Sequence, residues 1–278
     1  MRARETSLLR RATAPDARDG ATQRVTPADA GWGWISFSAH VLGPGQGVVR
    51  PGDGQEVAVV VLEGEADVRA GPERFRSVGS RATVFDGPPP PVVLVVAGEP
   101  IEVRADTGAT VLIAGAPSGD PVPTRRIDPT TMRVEERGSG PTARRVHHLL
   151  PPNEPASRLI LVEVFTPGGH WSSYPPHKHD TEDQPRESLL EELYYYRFAR
   201  PHGFAFARVY TGDRSLDQAL TPVDGDVVLV PRGFHPVGMP AGYDGYYLNV
   251  MAGPTRLWNF TLDPDHAWLM DWSPAAPP

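Results

Sequence analysis

The sequence contains no cysteine and a single lysine, Lys178, among its 278 residues. The absence of cysteine excludes disulfides, thiolate catalysis, and zinc or iron–sulfur sites held by sulfur. Any tightly bound metal ion must therefore use histidine and carboxylate ligands. The chain also has no run of 18 apolar residues, and its basic start lacks an apolar core of signal-peptide length. We predict a cytoplasmic protein.

Acidic residues outnumber basic residues in this sequence. Lysine and arginine number 27 against 34 acidic residues, which gives a net charge of -7 and a pI near 5.7. Binding to nucleic acid or to an anionic membrane would require clustered positive charge. We therefore predict neither partner and expect a small-molecule ligand instead.

Proline and glycine are abundant, with 32 and 28 residues, and they separate short runs of β-branched and aromatic residues. Short strands punctuated in this way predict an all-β protein built from sandwiches or closed barrels. The segment 186–193 fits a short helix or a strand equally well. The predicted strands lie at 57–68, 91–98, 110–115, 158–165, 204–210, 226–231 and 246–253.

The two halves of the chain resemble each other. In each half an acidic residue, Glu56 or Glu192, opens a strand, and further strands follow around an Asp-Gly or Gly-Asp turn and a proline. The segment 117–142 is polar and rich in Pro and Gly, as expected of a connection between domains. We predict two domains, residues 1–130 and residues 131–278.

The segment SSYPPHKHD, residues 172–180, holds the strongest chemical signal. Side chains alternate along a strand, so His177 and His179 can bind one ion while Lys178 points away. The two prolines before them restrict the backbone. Together with Glu192 and His235, these histidines form a ligand set suited to a divalent transition metal with open positions for a substrate.

The same residues resemble the two signature motifs of cupins, small β-barrels that hold an interior metal with three histidines and a glutamate. This sequence departs from the usual cupin pattern in the spacing of the ligands. The segment between His179 and Glu192, residues 180–191, is 12 residues long, which is longer than in most cupins. Glu187, Glu191 and Glu192 are therefore all eligible as the carboxylate ligand. We favour Glu192, because the strand-like LYYYRF follows it.

A resemblance to the 5-deoxy-glucuronate isomerases of inositol catabolism covers nearly the whole chain. Besides SSYPPHKHD it rests on several blocks in order: LLEELYYYRF, GFAFARVYT, DGDVVLVPRGFHPV, GYDGYYLNVMAGP and DPDHAW. The resemblance implies a bicupin that converts the aldose 5-deoxy-D-glucuronate to the ketose 5-dehydro-2-deoxy-D-gluconate. The expected cofactor is one divalent metal, zinc or manganese, with iron as an alternative, and a homo-oligomer is expected.

Such an isomerisation removes a proton from the carbon beside the carbonyl, and a bound cation stabilises the resulting enediolate. The substrate's carboxylate calls for a fixed guanidinium. On the strand FAFARVY, alternation places Phe204, Phe206, Arg208 and Tyr210 on one face. If that face lines the barrel, Arg208 is the predicted anchor and Tyr210 a predicted proton relay.

The first half lacks the histidines of the second, since LGPGQGVVRPGDGQ and GPPPPV stand where they are expected. Glu56 alone cannot hold a metal, so we predict a metal-free, structural first barrel. Five other histidines are interpreted as surface or structural residues: His40, His147, His148, His202 and His266. The alternative functions are a metal-dependent dioxygenase and a non-catalytic sugar-binding cupin.

Overall fold

The structure is a computed structural model and describes residues 7–272. Within that range the chain forms 25 strands, one helical turn and three 3-10 helices. The helical turn α1 (Pro27–Ala30) begins at Thr26, whose side chain accepts from the backbone of Asp29, and ends at Gly31 in a left-handed conformation. The 3-10 helices are Pro129–Thr131, Gly140–Thr142 and Ala267–Met270.

The described residues up to 127 contribute the first eleven strands. Their bounds are β1 (Leu9–Arg10), β2 (Ala21–Val25), β3 (Ser36–Leu42), β4 (Gly47–Arg50), β5 (Gln55–Gly64), β6 (Ala66–Ala70), β7 (Glu73–Val78), β8 (Val92–Val95), β9 (Ile101–Arg104), β10 (Ala109–Pro117) and β11 (Arg125–Ile127).

The remaining strands follow the connection. Their bounds are β12 (Arg133–Arg137), β13 (Arg144–Leu150), β14 (Ile160–Thr166), β15 (Trp171–Ser172), β16 (His177–Lys178), β17 (Asp180–Asp183), β18 (Glu187–Leu189), β19 (Glu191–Phe198), β20 (Phe206–Tyr210), β21 (Asp217–Leu220), β22 (Val227–Val230), β23 (Val237–Gly238), β24 (Gly245–Ala252) and β25 (Thr261–Leu262). The ambiguous segment 186–193 is therefore strand.

The first barrel consists of two antiparallel sheets, with strand orders β11-β8-β5-β10-β3-β2 and β4-β9-β6-β7. Strand β5 is buried on both faces, which explains its continuous apolar run. Val57, Val59 and Val61 belong to the core between the two sheets. Ala58, Val60 and Leu62 belong to a second core that continues into the other half of the chain. The larger sheet thus joins the two barrels.

The second barrel has a larger sheet of order β1-β22-β19-β24-β14-β13-β12 and a smaller one of order β15-β23-β20-β21. Two short hairpins, β16-β25 and β17-β18, complete it. The first strand of the chain belongs to this second barrel, because Leu9 and Arg10 pair with Val228 and Val227. The start of the chain therefore belongs to the second barrel, although it precedes the first barrel in sequence. The division at residue 130 stays a prediction.

The predicted all-β class is confirmed, and the two larger sheets place their strands in corresponding order. No helix among residues 7–272 is long and apolar enough to span a membrane.

Two buried glutamates join the barrels reciprocally. Glu56 of the first barrel accepts hydrogen bonds from the backbone N–H groups of residues 157–159, at 2.5, 2.8 and 2.9 Å. Glu191 of the second barrel accepts from those of residues 33–35, at 2.6, 2.8 and 3.3 Å. Each carboxylate thus holds the segment that enters β14 or β3 of the opposite barrel. Three N–H donors compensate the loss of hydration of each buried charge.

This reciprocity corrects the predicted correspondence between Glu56 and Glu192. Glu56 pairs with Ala116 of β10, as Glu191 pairs with Ala252 of β24, so Glu56 corresponds to Glu191. The residue that corresponds to Glu192 is Val57, which lies in the core of the first barrel.

A buried ion network also crosses between the barrels. Arg81 of the first barrel forms two hydrogen bonds with Glu163 of β14, at 2.7 and 3.2 Å. His147 and Tyr246 bind the same carboxylate, at 3.0 and 2.8 Å. Burial alone would raise the pKa of Glu163, but Arg81 and His147 hold it below its usual value. His147 is therefore structural, as the sequence predicted.

We predict that Glu56→Ala lowers the free energy of unfolding by about 3 kcal/mol, because three buried N–H donors lose their acceptor. Glu102→Ala, on the exposed side of β9, is the matched control and should change stability by less than about 0.5 kcal/mol. Urea unfolding measures both. Equal stability of the two variants would contradict the structural role of Glu56.

Candidate metal centre

Three histidines converge inside the second barrel. His177 lies in the short strand β16, His179 follows it, and His235 lies between β22 and β23. One ring nitrogen from each lies within 4.8 Å of the others. His179 and His235 are buried, at 2% and 1% exposure, and His177 is partly buried. The three residues could together hold a metal ion.

Glu192 is the glutamate that meets this cluster. Its Oε2 lies 3.0 Å from Nε2 of His179 and 3.2 Å from Nε2 of His235. The two alternatives are engaged elsewhere: Glu191 binds the first barrel, and Glu187 binds Lys178. Adjacent residues of a strand face opposite sides, so Glu191 and Glu192 serve the interface and the interior respectively.

Main-chain carbonyls fix the orientation of two of the rings. Nδ1 of His179 lies 3.0 Å from the carbonyl oxygen of Leu190, and Nδ1 of His235 lies 2.9 Å from that of Gly233. Hydrogen bonds from Nδ1 leave Nε2 as the ligand atom, a common arrangement around metal-binding histidines. Nε2 of His235 is buried and, although Oε2 of Glu192 lies 3.2 Å away, it makes no hydrogen bond of good geometry among the described residues. A bound cation would satisfy it, so these residues fit a divalent metal.

The electrostatics of the cluster agree with a cation site. Burial and the neighbouring His235 and His179 hold the pKa of His177 well below its usual value, so this ring stays neutral. Burial alone would raise the pKa of Glu192, but the hydrogen bond from His179 and the nearby His235 hold it far below that of an ordinary carboxyl. Burial alone would lower the pKa of His179, but its hydrogen bond to Glu192 raises it. Metal binding requires a neutral imidazole and an ionised carboxylate, so a metal would displace the proton that His179 shares with Glu192.

Lys178 turns to a separate group of residues. Its ammonium lies 2.5 Å from Asp180 and 2.7 Å from Glu187. Asp180 also accepts from the backbone N–H of Gly233 at 2.8 Å, two residues before His235. Glu187 accepts from Thr261 of β25, the partner strand of β16. Lys178 thus ties together the segments that carry the histidines.

The cavity beside the cluster is small, about 30 Å³, and mostly polar. Besides His177 and Glu192, tyrosine, serine, asparagine, tryptophan and arginine side chains surround it. They are Arg137, Arg144, Ser173, Tyr194, Tyr247, Asn249 and Trp258, with Val146, Val162 and Val164. The hydroxyl groups of Tyr194 and Ser173 lie 3.0 Å apart. Burial raises the pKa of Tyr194 well above its usual value, so its hydroxyl stays protonated.

The condition on which the roles of Arg208 and Tyr210 were predicted, that their face of β20 lines the barrel, is not met. Ala207 and Val209 of β20 and Ala205 just before it are buried in the core, whereas Phe206 and Arg208 are exposed. Tyr210, at the end of the strand, is also buried. Arg208 forms a two-point ion pair with Asp217, at 2.8 and 2.7 Å. The alternation in FAFARV allows either set of residues to face the interior of the barrel. In the structure the small residues face it.

Tyr210 shares the outer face of the strand with Arg208. The guanidinium groups of Arg208 and Arg214 cover its ring, at 4.3 and 4.4 Å from the ring centre. Its hydroxyl donates to Asp263 at 2.6 Å. The structure therefore does not bring Arg208 or Tyr210 into the cavity of the histidines, which removes the geometric basis of their predicted catalytic roles.

Sequence reasoning missed Arg144, Asn249 and Trp258. Arg144 begins β13 directly after the connection. It is one of 26 arginines among the 27 basic residues, so its residue type gives no signal. Asn249 and Tyr247 alternate along β24, a signal that could have placed them on one face. Trp258 follows the last long strand, and its sequence context carries no signal.

Two antiparallel barrels, one of which carries a cluster of three histidines and a glutamate, define a bicupin. The oxalate decarboxylase of Lactobacillus farciminis shares this fold, with a TM-score of 0.66 at 13% identity over 98% of this chain and 92% of that one. The chain belongs to the KduI/IolB family, whose pattern matches residues 8–269.

Curated relatives support the same assignment. A 5-deoxy-glucuronate isomerase of Geobacillus kaustophilus is 48% identical over 93% of this chain and 94% of its own length. That of Bacillus subtilis strain 168 is 39% identical over 95% and 98%. An IolB-like protein from Salmonella typhimurium has a TM-score of 0.91 at 41% identity, over 95% of this chain and all of that one.

We predict that His179→Ala abolishes stoichiometric metal binding, because it removes one nitrogen and leaves Glu192 without its closest partner. His266→Ala is the control, since the His266 side chain is not among the ring nitrogens of the cluster. Elemental analysis of both purified variants measures the metal content. Full metal content in His179→Ala would contradict the assignment.

We predict that Lys178→Met lowers the free energy of unfolding by about 2 kcal/mol, because it leaves the carboxylates of Asp180 and buried Glu187 without a counter-charge. Lys178→Arg keeps the charge and should lose less than about 1 kcal/mol. Urea unfolding distinguishes them. A Lys178→Met variant as stable as the parent would contradict this role.

Proposed function

We propose that this protein isomerises 5-deoxy-D-glucuronate to 5-dehydro-2-deoxy-D-gluconate, an aldose–ketose conversion in the cytoplasmic catabolism of myo-inositol. One observation supports this most directly: the histidine–glutamate cluster opens on a polar cavity, in a chain 48% identical to a curated 5-deoxy-glucuronate isomerase. Tyrosine, asparagine and arginine side chains suit a polyhydroxy acid.

His177, His179, His235 and Glu192 would hold one divalent metal, zinc or manganese by preference and iron as an alternative. When bound, such a cation polarises a carbonyl and stabilises negative charge on neighbouring oxygen atoms. The nitrogen and oxygen donors of this chain suit all three metals.

The protein's own residues would orient the substrate and control its protons. Tyr194 stays protonated, and its hydroxyl, paired with Ser173, can donate a hydrogen bond to a substrate oxygen. Val146, Val162 and Val164 form an apolar wall that limits the water around the reacting atoms. The remaining polar groups of the cavity would face the part of the substrate beyond the carbonyl.

We also propose that the first barrel, residues 1–130, is structural and binds no metal, and that residues 131–278 carry the active site. Val57 stands where the second barrel has Glu192, and Glu56 is engaged at the interface. A carboxylate with three N–H partners has little remaining capacity to bind an ion. The homo-oligomer expected from the sequence stays a prediction.

We predict that the purified protein converts 5-deoxy-D-glucuronate to the ketose at the same rate with and without oxygen, because an isomerisation exchanges protons within one molecule. The product is measured by NMR under anaerobic and aerobic conditions. Glu192→Gln should reduce kcat/KM by about 100-fold or more, since it replaces the charged ligand. Turnover that requires oxygen would contradict the isomerase and favour the dioxygenase.

A further inference from the structure

Two adjoining cavities share part of their walls. Arg137 and Trp258 line both the cavity of the histidines and a larger one of about 450 Å³. Phe260 lines the larger cavity, and its ring centre lies 4.7 Å from that of His177. Arg137 and Trp258 thus stand between the small cavity beside His177, of about 30 Å³, and the larger one.

Arg144 lines the smaller cavity together with His177 and Glu192. It is the cross-strand partner of Arg137 in the pairing of β12 with β13. Its neighbours have carboxylate partners: Arg137 pairs with Glu135 at 3.1 Å, and Arg145 pairs with Glu136 at 2.7 Å. Arg144 has no carboxylate partner among the described residues, and its guanidinium donates to the carbonyl oxygen of Thr142 at 2.9 Å.

An unpaired guanidinium is costly in a half-buried position. Burial lowers the pKa of Arg144, and the charge of Arg137 adds to this effect. A buried cation is normally balanced by an anion, either from the protein or from a ligand. The adjacent arginines pair with glutamates of the same strand, whereas Arg144 has no carboxylate at ion-pair distance among the described residues, and the charge of Glu135 acts on it only from farther away.

Two further polar atoms around the same cavity lack partners. Oδ1 of Asn249 and Nε1 of Trp258 are buried and have no hydrogen-bond partner among the described residues. The first can accept a hydrogen bond and the second can donate one. Hydroxyl groups are both donors and acceptors, so a polyhydroxy ligand could satisfy both atoms.

We infer that Arg144 binds the carboxylate of the substrate, while Asn249 and Trp258 bind its hydroxyl groups. This inference rests on the proposed function, because it takes the substrate to be a sugar acid. A planar guanidinium can bind both oxygens of a carboxylate and thus fix its direction as well as its position. With that end held, the carbonyl end is directed toward His177 and Glu192. Arg144 takes the anchoring role that the sequence suggested for Arg208.

The test compares an acid with its neutral counterpart. D-glucuronate carries a carboxylate where D-glucose carries a hydroxymethyl group, and calorimetry measures the binding of each to the purified protein. The parent should bind D-glucuronate at least about 10-fold more tightly than D-glucose, and Arg144→Gln should reduce this preference to about 2-fold or less. Arg145→Gln, an exposed neighbour on the same strand, should keep it.

Three further measurements complete the design. Metal content and thermal unfolding should be the same in the parent and in Arg144→Gln, because Arg144 is not a ligand. With 5-deoxy-D-glucuronate, Arg144→Gln should raise KM by about 30-fold or more. Should Arg144→Gln fail to fold, Arg144→Lys retains a charge without the two-point geometry and should show an intermediate preference for the acid.

The inference is overturned if the parent shows no preference for the acid, if Arg144→Gln keeps the preference, or if Arg145→Gln loses it to the same degree. A parent that prefers D-glucuronate through Arg144 but does not isomerise 5-deoxy-D-glucuronate would overturn the proposed function and leave the carboxylate site standing. A parent that isomerises 5-deoxy-D-glucuronate, but whose preference for the acid does not depend on Arg144, would support the proposed function and overturn the carboxylate site.

Discussion

Glu56 and Glu191 each place a buried carboxylate against three consecutive N–H groups of the opposite barrel. A carboxylate deprived of water is strongly unfavourable unless several donors meet it, and an extended segment can offer them only in one position. The pair therefore fixes how the two larger sheets face each other. Apolar contacts follow from that arrangement, including the rings of Phe37 and Tyr195, 5.9 Å apart at their centres.

The position of Glu191 also sets the interior of the second barrel. Because side chains alternate, holding Glu191 at the interface turns Glu192, Tyr194 and Tyr196 inward. A shift by one residue would exchange the two faces and remove the carboxylate from the histidines. The same alternation in β5 turns Val57 inward and Glu56 outward. Both barrels share this contact, so they differ in the inward-facing residue that follows it, which is Glu192 in the second barrel and Val57 in the first.

Around the histidines, positioning comes from the main chain and from ion pairs outside the cavity. Carbonyl groups of Leu190 and Gly233 orient two rings, and Asp180, held by Lys178, fixes the N–H of Gly233. These contacts hold the cluster from the side away from the cavity. The polar atoms on the cavity side therefore remain available to a ligand. Rigid support on one side and unpaired polar groups on the other are what a selective binding site requires.

Composition, turn residues and spacing predict much of this protein without coordinates. The absence of cysteine restricts metal ligands to nitrogen and oxygen, the short apolar runs between Gly and Pro indicate an all-β fold, and the HKH spacing brings His177 and His179 to one side. These features are local, so a single segment carries the whole signal. The family resemblance, which extends along most of the chain, adds the expected isomerase activity.

The phase of a strand, by contrast, depends on what packs against each face. Either alternating set of residues in FAFARVY could face the interior of the barrel. Only contact with the rest of the barrel places its alanines inside and Arg208 outside. Likewise, neighbouring Glu191 and Glu192 are chemically identical, and their roles differ because one meets N–H groups of the opposite barrel. Arg144 becomes conspicuous only beside paired neighbours and a shared cavity. Such distinctions arise from residues distant in sequence, so folding itself must bring them together.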